Sequence, residues 1–246
     1  MDINAVCEKK EQAGALAGTD GISRIFHPGN TLPYVFRAED EKLCEGMLSE
    51  PYLLVRNPDG IGFLKEKYYK GEIIADHTVY TYNKASREVL KELGVSYDTA
   101  PLELDFRELL ARGMEETELM VYGRIPMMIS AGCVYRSTNG DRCNKNIESG
   151  HEIRLVDRTD TGFPVLCECR YCYNVIFNSV PLSLHRLWDR VTALDPRSVR
   201  LYFTTETPDE VRNIASFFVS LDADPKSAGP PPYEEYTRGH FLKGAI

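Results

Sequence analysis

Five of the chain's seven cysteines fall between residues 133 and 172 and are the residues best suited to chemistry. Cys169 and Cys172 form a Cys-x-x-Cys pair, and Cys133 and Cys143 form a second pair around a turn-forming stretch. Four thiolates can bind a tetrahedral zinc ion or an iron–sulfur cluster. The spacing therefore predicts a metal site in which Cys167 is a competing ligand or a spare thiol.

The spacing leaves other interpretations of these cysteines open. A redox pair normally has its first cysteine at a helix N-terminus, whereas the residues after Cys172 are aromatic and β-branched, which favours a strand. Inert buried thiols account for one or two cysteines, as we expect for Cys44, but five in one segment is too many. Spacing alone does not separate zinc from an iron–sulfur cluster.

Composition limits the protein class and the compartment. The 246 residues carry a net charge of −8, which argues against nonspecific coating of nucleic acid. No apolar run approaches the roughly 20 residues that span a bilayer, so no membrane association is expected. The first residues lack the apolar core of a signal peptide, and we expect a cytoplasmic protein in which structural disulfides are disfavoured.

Hydrolytic motifs are missing from the sequence. It contains no G-x-S-x-G elbow, no H-E-x-x-H helix and no P-loop lysine motif, and its five histidines are scattered. The sequence assigns no catalytic residue.

Strand patterns alternate with helical patterns, which predicts an α/β fold with a mainly parallel sheet, either a partial or a complete TIM-barrel-like sheet. The helix signals include a capping box at Asp105 and Glu108 and another at Thr207 and Glu210. The strand and helix predictions cover these ranges: strands 22–26, 33–37, 52–56, 72–76, 78–82, 118–122 and 199–203, and helices 38–49 and 84–94.

The same patterns predict three segments. We expect a poorly ordered N-terminus over residues 1–20 and an α/β domain over residues 21–221, interrupted by a cysteine-rich insertion at 130–180. Residues 222–246 are rich in proline and glycine and are predicted to form an irregular tail.

Several motifs together resemble the peptidase U32 family over roughly residues 50–246. They are Tyr122-Gly123, Pro126, Asp157-Arg158, Phe163-Pro164-Val165 and Asn178-Ser179. The resemblance implies a TIM-barrel-like core with a cysteine-bound [4Fe–4S] cluster, and relatives that hydroxylate RNA bases or the ubiquinone ring without oxygen. The four cysteines that match the expected ligands are Cys133, Cys143, Cys169 and Cys172.

The sequence departs from the family pattern in three places. Pro126 stands where the hydroxylase branches have a cysteine, and Cys167 matches a ligand position of those branches. The apolar strand and Pro-Ala-Gly motif that open the family's domain are not recognisable. The resemblance therefore implies the C-terminal part of a catalytic domain, with a companion chain or domain that supplies the N-terminal half of the barrel.

The leading hypothesis is an iron–sulfur enzyme of the oxygen-independent hydroxylation type that acts on RNA or a small aromatic substrate. Arg124, Arg136 and Arg158 are the candidates for binding an anionic substrate group, because a guanidinium binds carboxylate or phosphate bidentately. Surface ion pairs are the alternative role for these arginines. Two alternative functions remain, namely the peptidase that the family's label states and a non-catalytic, zinc-stabilised module that needs a partner.

Overall fold

The computed structural model describes residues 1–138 and 151–245. The chain divides into two compact units. The first consists of Met1–Gly123 and Leu182–Ile246, and the second, Arg124–Pro181, is inserted into it.

Parallel strands build the first unit. Seven of them form one sheet in the order β2-β1-β12-β6-β5-β4-β3, and the short β11 pairs antiparallel with β6. The strands of this unit are β1 (Asp2–Cys7), β2 (Ile22–Phe26), β3 (Tyr52–Val55), β4 (Glu72–Ala75), β5 (Val95–Thr99), β6 (Thr117–Gly123), β11 (Leu182–Ser183) and β12 (Ser198–Phe203).

Helices follow most of these strands. Thr207 and Asp105 each accept a hydrogen bond from the backbone of the third helical residue, so both predicted capping boxes are confirmed. Within the described ranges, no helix is both long enough and apolar enough to cross a membrane. The helices are α1 (Lys10–Leu16), α2 (Glu41–Cys44), α3 (Pro58–Glu66), α4 (Lys84–Glu92), α5 (Phe106–Arg112), α6 (Val134–Thr138), α7 (Trp188–Ala193) and α8 (Pro208–Ala223), with 3-10 turns at Ala38–Asp40, Glu45–Ser49, His77–Val79 and His185–Leu187.

The sheet curls into a nearly closed barrel, because the chain just after β2 returns to β3. Leu54 donates its backbone N–H to Asn30 O at 3.0 Å and accepts from Leu32 N at 2.9 Å. The Tyr52 hydroxyl reaches Ile25 O at 3.3 Å. These bonds join the two ends of the strand order, so the α/β, TIM-barrel-like fold predicted from the sequence is confirmed.

A contact across the sheet demonstrates the curvature independently. Arg200 of β12 pairs with Asp76, the residue after β4. In the sheet β12 and β4 are three strand positions apart, which is about 14 Å along a flat sheet. An arginine side chain spans this separation only through the inside of a closed curve, and both side chains are buried. The interior of the barrel is therefore charged.

The Tyr122-Gly123 motif has a structural role at the end of β6. Gly123 has a φ of 139°, and a Cβ added there would lie 2.4 Å from the carbonyl oxygen of Tyr202 on β12. The Tyr122 hydroxyl donates to Glu206 at 3.1 Å. The glycine lets β6 and β12 approach closely where the first unit gives way to the second.

The second unit is an antiparallel sheet in the order β7-β10-β9-β8. The β8–β9 turn is closed by Asp157, which accepts hydrogen bonds from the backbone of Thr159 and Thr161. The strands are β7 (Pro126–Ser130), β8 (His151–Val156), β9 (Gly162–Glu168) and β10 (Tyr173–Phe177). The predicted cysteine-rich insertion thus contains a sheet of its own.

Three local predictions are wrong. Residues 1–20 are not poorly ordered, because they contain β1 and α1, and β1 is a buried central strand of the barrel. The predicted strands at 33–37 and 78–82 are absent from the structure, where the second range overlaps a 3-10 turn. In both ranges aromatic residues produced a strand pattern, whereas Tyr34 and Thr81 use their polar groups in buried side-chain contacts.

We expect Arg200→Ala to destabilise the barrel strongly. Arg200 contacts Glu118 and Asp76, and all three side chains are buried. Removing one partner from a buried ion pair costs about 3–5 kcal/mol. Urea unfolding measures the loss. As the control, Arg24→Ala removes a partly exposed pair with Glu72 and should cost about 1 kcal/mol or less. Equal losses for the two variants would contradict the view that the buried ion pairs stabilise the barrel.

Candidate functional site

The described cysteines of the insertion lie around the β9–β10 hairpin. Cys167 is near the end of β9, and Cys169 and Cys172 lie in the turn that leads to β10. Cys169 N donates to Cys167 O at 2.9 Å, which closes the start of this turn. The three thiols differ in exposure although they share one hairpin. Cys167 is buried, Cys169 is half-buried and Cys172 is exposed.

Asn174 fixes the fourth described cysteine of this group beside the hairpin. Asn174 is the partner of Cys167 in the antiparallel register. Its side-chain amide donates to Ser130 O at 3.1 Å and to Gly132 O at 2.6 Å. These bonds hold the segment that leads into Cys133 against β10, so Cys133 arrives at the hairpin although it is far away in sequence.

Cys167 is buried and lies within electrostatic range of two other thiols. The pKa of Cys167 is raised to about 11, first by burial and then by the neighbouring Cys169 and Cys133 thiols. A bound cation would favour the thiolate form of Cys167, which burial and the neighbouring sulfurs disfavour.

The metal-ligand set itself remains a prediction. Within residues 1–138 and 151–245, no three His, Cys, Asp or Glu side chains are grouped closely enough to bind a metal ion. Cys143, one of the four predicted ligands, lies outside the described residues. The structure thus brings Cys133, Cys167 and Cys169 near one another and leaves the role of Cys143 to experiment.

The three candidate arginines do not converge. Arg124 donates to the carbonyl oxygens of Asn178 and Ser179, which is a structural contact at the base of the insertion. Arg136 is exposed on α6, and its backbone N–H donates to Cys133 Sγ at 3.4 Å. Arg158 lies on the exposed β8–β9 turn, before β9 begins. The start of β9 at Gly162 is about 17 Å along the strand from Cys167. Substrate binding by these arginines stays a prediction.

A second group of chemically capable side chains lies in the barrel. Glu8, Arg56 and Asp76 are the first residues after β1, β3 and β4, respectively. In TIM-barrel enzymes the active site lies at this carboxyl end of the strands. We call these three residues, together with His77, the barrel-mouth cluster.

Arg56 joins the carboxylates of the barrel-mouth cluster. Its Nε donates to Asp76 at 3.2 Å and its Nη2 donates to Glu8. The guanidinium also lies over the Tyr34 ring, 4.0 Å from its centroid. The Tyr34 and Tyr202 hydroxyls are 2.8 Å apart, and Tyr202 donates to Glu8. Every charge in this group is buried, yet each has a partner of opposite sign.

Asp76 is the most constrained acid of the cluster. Burial alone would raise its pKa, but the nearby His77, Arg200 and Arg56 outweigh burial and hold the pKa well below its usual range. Asp76 also accepts hydrogen bonds from His77 N at 2.8 Å and from His77 Nδ1 at 2.9 Å. Asp76 is therefore a fixed negative charge at the end of β4.

Sequence reasoning missed the barrel-mouth cluster. Its three charged residues and its histidine are far apart along the chain and form no motif. A usable signal exists, since Arg56 and Asp76 each follow directly on a short apolar run that reads as a buried strand. Charged residues at that position in successive βα units meet at one end of a parallel barrel.

Acid should weaken the fold through Asp76. Its pKa is lowered in the folded protein, so below about pH 5 the unfolded chain, with an aspartate pKa of about 3.9, binds more protons and stability falls. We expect Asp76→Asn to be less stable than the parent at pH 7 and to lose less between pH 5 and pH 3. Urea midpoints across this range test the slope. Asp209→Asn, at an exposed ion pair, should keep the parental slope.

The backbone at Cys172 offers a separate test. Cys172 has a φ of 53°, a left-handed conformation that costs a non-glycine residue about 1 kcal/mol. In metal-free protein, Cys172→Gly should slow amide hydrogen exchange across the β9–β10 hairpin, whereas Cys172→Ser should not. Cys169→Gly is the control, because residue 169 lacks a positive φ and glycine there only adds unfolded-state entropy. Faster exchange in Cys172→Gly would show that the backbone is not strained.

Comparisons with protein-family models, with curated proteins and with solved structures give no match. The function must therefore be argued from the thiols of the inserted unit and from the charged mouth of the barrel.

Proposed function

We propose that the chain is an iron–sulfur enzyme of the peptidase U32 type, in which the inserted unit binds a [4Fe–4S] cluster and the barrel unit belongs to the catalytic domain. The observation that carries the proposal is that Cys133 and Cys169 lie near enough to Cys167 to add to the rise in its pKa that burial causes. Of these three thiols only Cys167 is buried, so packing in an apolar core does not account for the half-buried Cys133 and Cys169 beside it.

The donor chemistry fits such a cluster. Cysteine thiolates are the usual ligands of [4Fe–4S] centres, and four are needed. Cys133, Cys143, Cys169 and Cys172 would hold it, with Cys167 as the alternative ligand. When bound, the cluster would supply one-electron transfer, the kind of chemistry that oxygen-independent hydroxylation of an RNA base or a small aromatic ring requires.

The thiol of Cys167 must lose its proton before it can bind iron. A thiol with a pKa of about 11 is protonated at neutral pH and must lose its proton before it binds iron. If Cys167 is a ligand, cluster binding releases that proton and strengthens with rising pH. The Asn174 bonds to Ser130 and Gly132 would keep the Cys133 segment in place while the site is empty.

Metal analysis of anaerobically purified protein tests the proposal. We expect a brown protein with about four irons and four sulfides per chain, and an electron paramagnetic resonance signal after reduction. Cys133→Ser, Cys143→Ser and Cys172→Ser should each lose the iron. Cys7→Ser and Cys44→Ser are matched controls, because both thiols are buried in the barrel unit and should leave the iron content unchanged.

Iron content in Cys167→Ser and Cys169→Ser identifies the fourth ligand. Retained iron in Cys167→Ser and lost iron in Cys169→Ser would support the proposed set, and the reverse would exchange these two roles. A colourless protein with zinc would refute the cluster and favour the zinc-stabilised module. Equal iron loss in Cys44→Ser would refute the ligand assignment.

A further inference from the structure

His77 is placed at the barrel mouth by the residue before it. It begins the 3-10 turn His77–Val79 directly after β4, and Asp76 caps this turn. Asp76 accepts from both the backbone N–H and Nδ1 of His77. One side of the imidazole is thereby fixed against a carboxylate that is itself held in place.

The supports of Asp76 extend through the barrel. Arg200 contacts the same Asp76 oxygen that His77 uses, and Arg56 contacts the other oxygen. Arg200 continues to Glu118, and Arg56 continues to Glu8. Asp76 is therefore anchored from three directions and does not need to move when the imidazole changes its charge.

The ion-pair chain that reaches His77 carries more carboxylates than guanidiniums. Glu118, Asp76 and Glu8 contribute three negative charges, and Arg200 and Arg56 contribute two positive charges. With a neutral His77 the buried chain has a net charge of −1.

We propose that His77 is a proton-transfer residue at the mouth of the barrel and that Asp76 is its positioning residue. Asp76 keeps the ring proton on Nδ1, which leaves the lone pair of Nε2 to accept a proton. The ligand would be a small neutral molecule with an acidic O–H or N–H group, since the net negative chain disfavours an anion. The proposal goes beyond the iron–sulfur assignment and does not depend on it.

The proposed step is a simple proton transfer. The O–H or N–H bond of the ligand breaks, its electron pair stays on the oxygen or nitrogen, and the proton forms an N–H bond at Nε2 of His77. The resulting imidazolium is balanced by Asp76. Transfer of that proton to water restores the neutral ring, so no other reactant is consumed.

His185 provides an internal comparison within the same unit. Both histidines are largely buried, with exposed fractions of 7 % for His77 and 9 % for His185. The Nδ1 of His185 faces the Ser183 hydroxyl at 2.8 Å, and its Nε2 is enclosed with no hydrogen-bond partner among the described residues. Aromatic rings of Phe217, Tyr233 and Tyr236 surround it. It is a histidine packed among aromatic rings, with its Nδ1 facing the hydroxyls of Ser183 and Tyr233.

Two measurements on the full-length protein test the proposal. In the first, diethylpyrocarbonate modifies native protein at pH 7 and peptide mass spectrometry follows each histidine separately. The reagent attacks an unprotonated, reachable ring nitrogen, whereas His185 reacts only through local opening. We expect His77 to react about tenfold or more faster than His185, and equal rates would overturn the proposal.

In the second, nitrogen-15 NMR identifies the tautomer of the neutral His77 ring, with His77→Gln used to assign its signals. A proton on Nδ1 and a bare Nε2 would support the proposal. A proton on Nε2 would overturn it, because that nitrogen could not then accept another. Neither measurement involves iron, so its failure is distinguishable from failure of the cluster assignment.

Discussion

The buried ion pairs inside the barrel are the constraint on which the first unit depends. A guanidinium and a carboxylate lose several kcal/mol each when they leave water, so each must find a partner of opposite charge in the folded chain. Arg200 meets this requirement only if β12 lies opposite the end of β4. The register of the parallel strands and the closure of the sheet are thus tied to the pairing of a few charges. TIM-barrel interiors are more often filled with branched apolar side chains.

The sequence was informative wherever one pattern decided the local structure. The capping boxes at Asp105 and Thr207 and the apolar runs of β3, β4, β6 and β12 led directly to the observed elements. The first strand was missed because its polar residue Asn4 points to partners inside the barrel, Glu118 and Ser198, and breaks the apolar pattern. A polar residue in a barrel strand can be identified as buried only when its distant partner is known.

The cysteine site can be predicted from the sequence alone, whereas the barrel-mouth cluster cannot. Thiols are rare enough that five of them close together in the chain are informative before any fold is known. Carboxylates and guanidiniums are common, so Glu8, Arg56 and Asp76 stand out only after the barrel has brought the ends of β1, β3 and β4 together. The cysteines also show the limit of spacing. The sequence leaves Cys167 as a competing ligand or a spare thiol, whereas the structure shows that it is buried near Cys169 and Cys133.

The two ends of the insertion are held together by the pairing of β6 with β11. The barrel strand that precedes the insertion and the short strand that follows it are bonded to each other, with Leu182 opposite Gly123. Entry and exit are therefore adjacent points of one sheet, so the intervening segment behaves as a long hairpin loop. Loop-closure entropy grows only with the logarithm of length. The fold can accordingly accept a lengthened, shortened or exchanged insert at this position while the parallel strands keep their register.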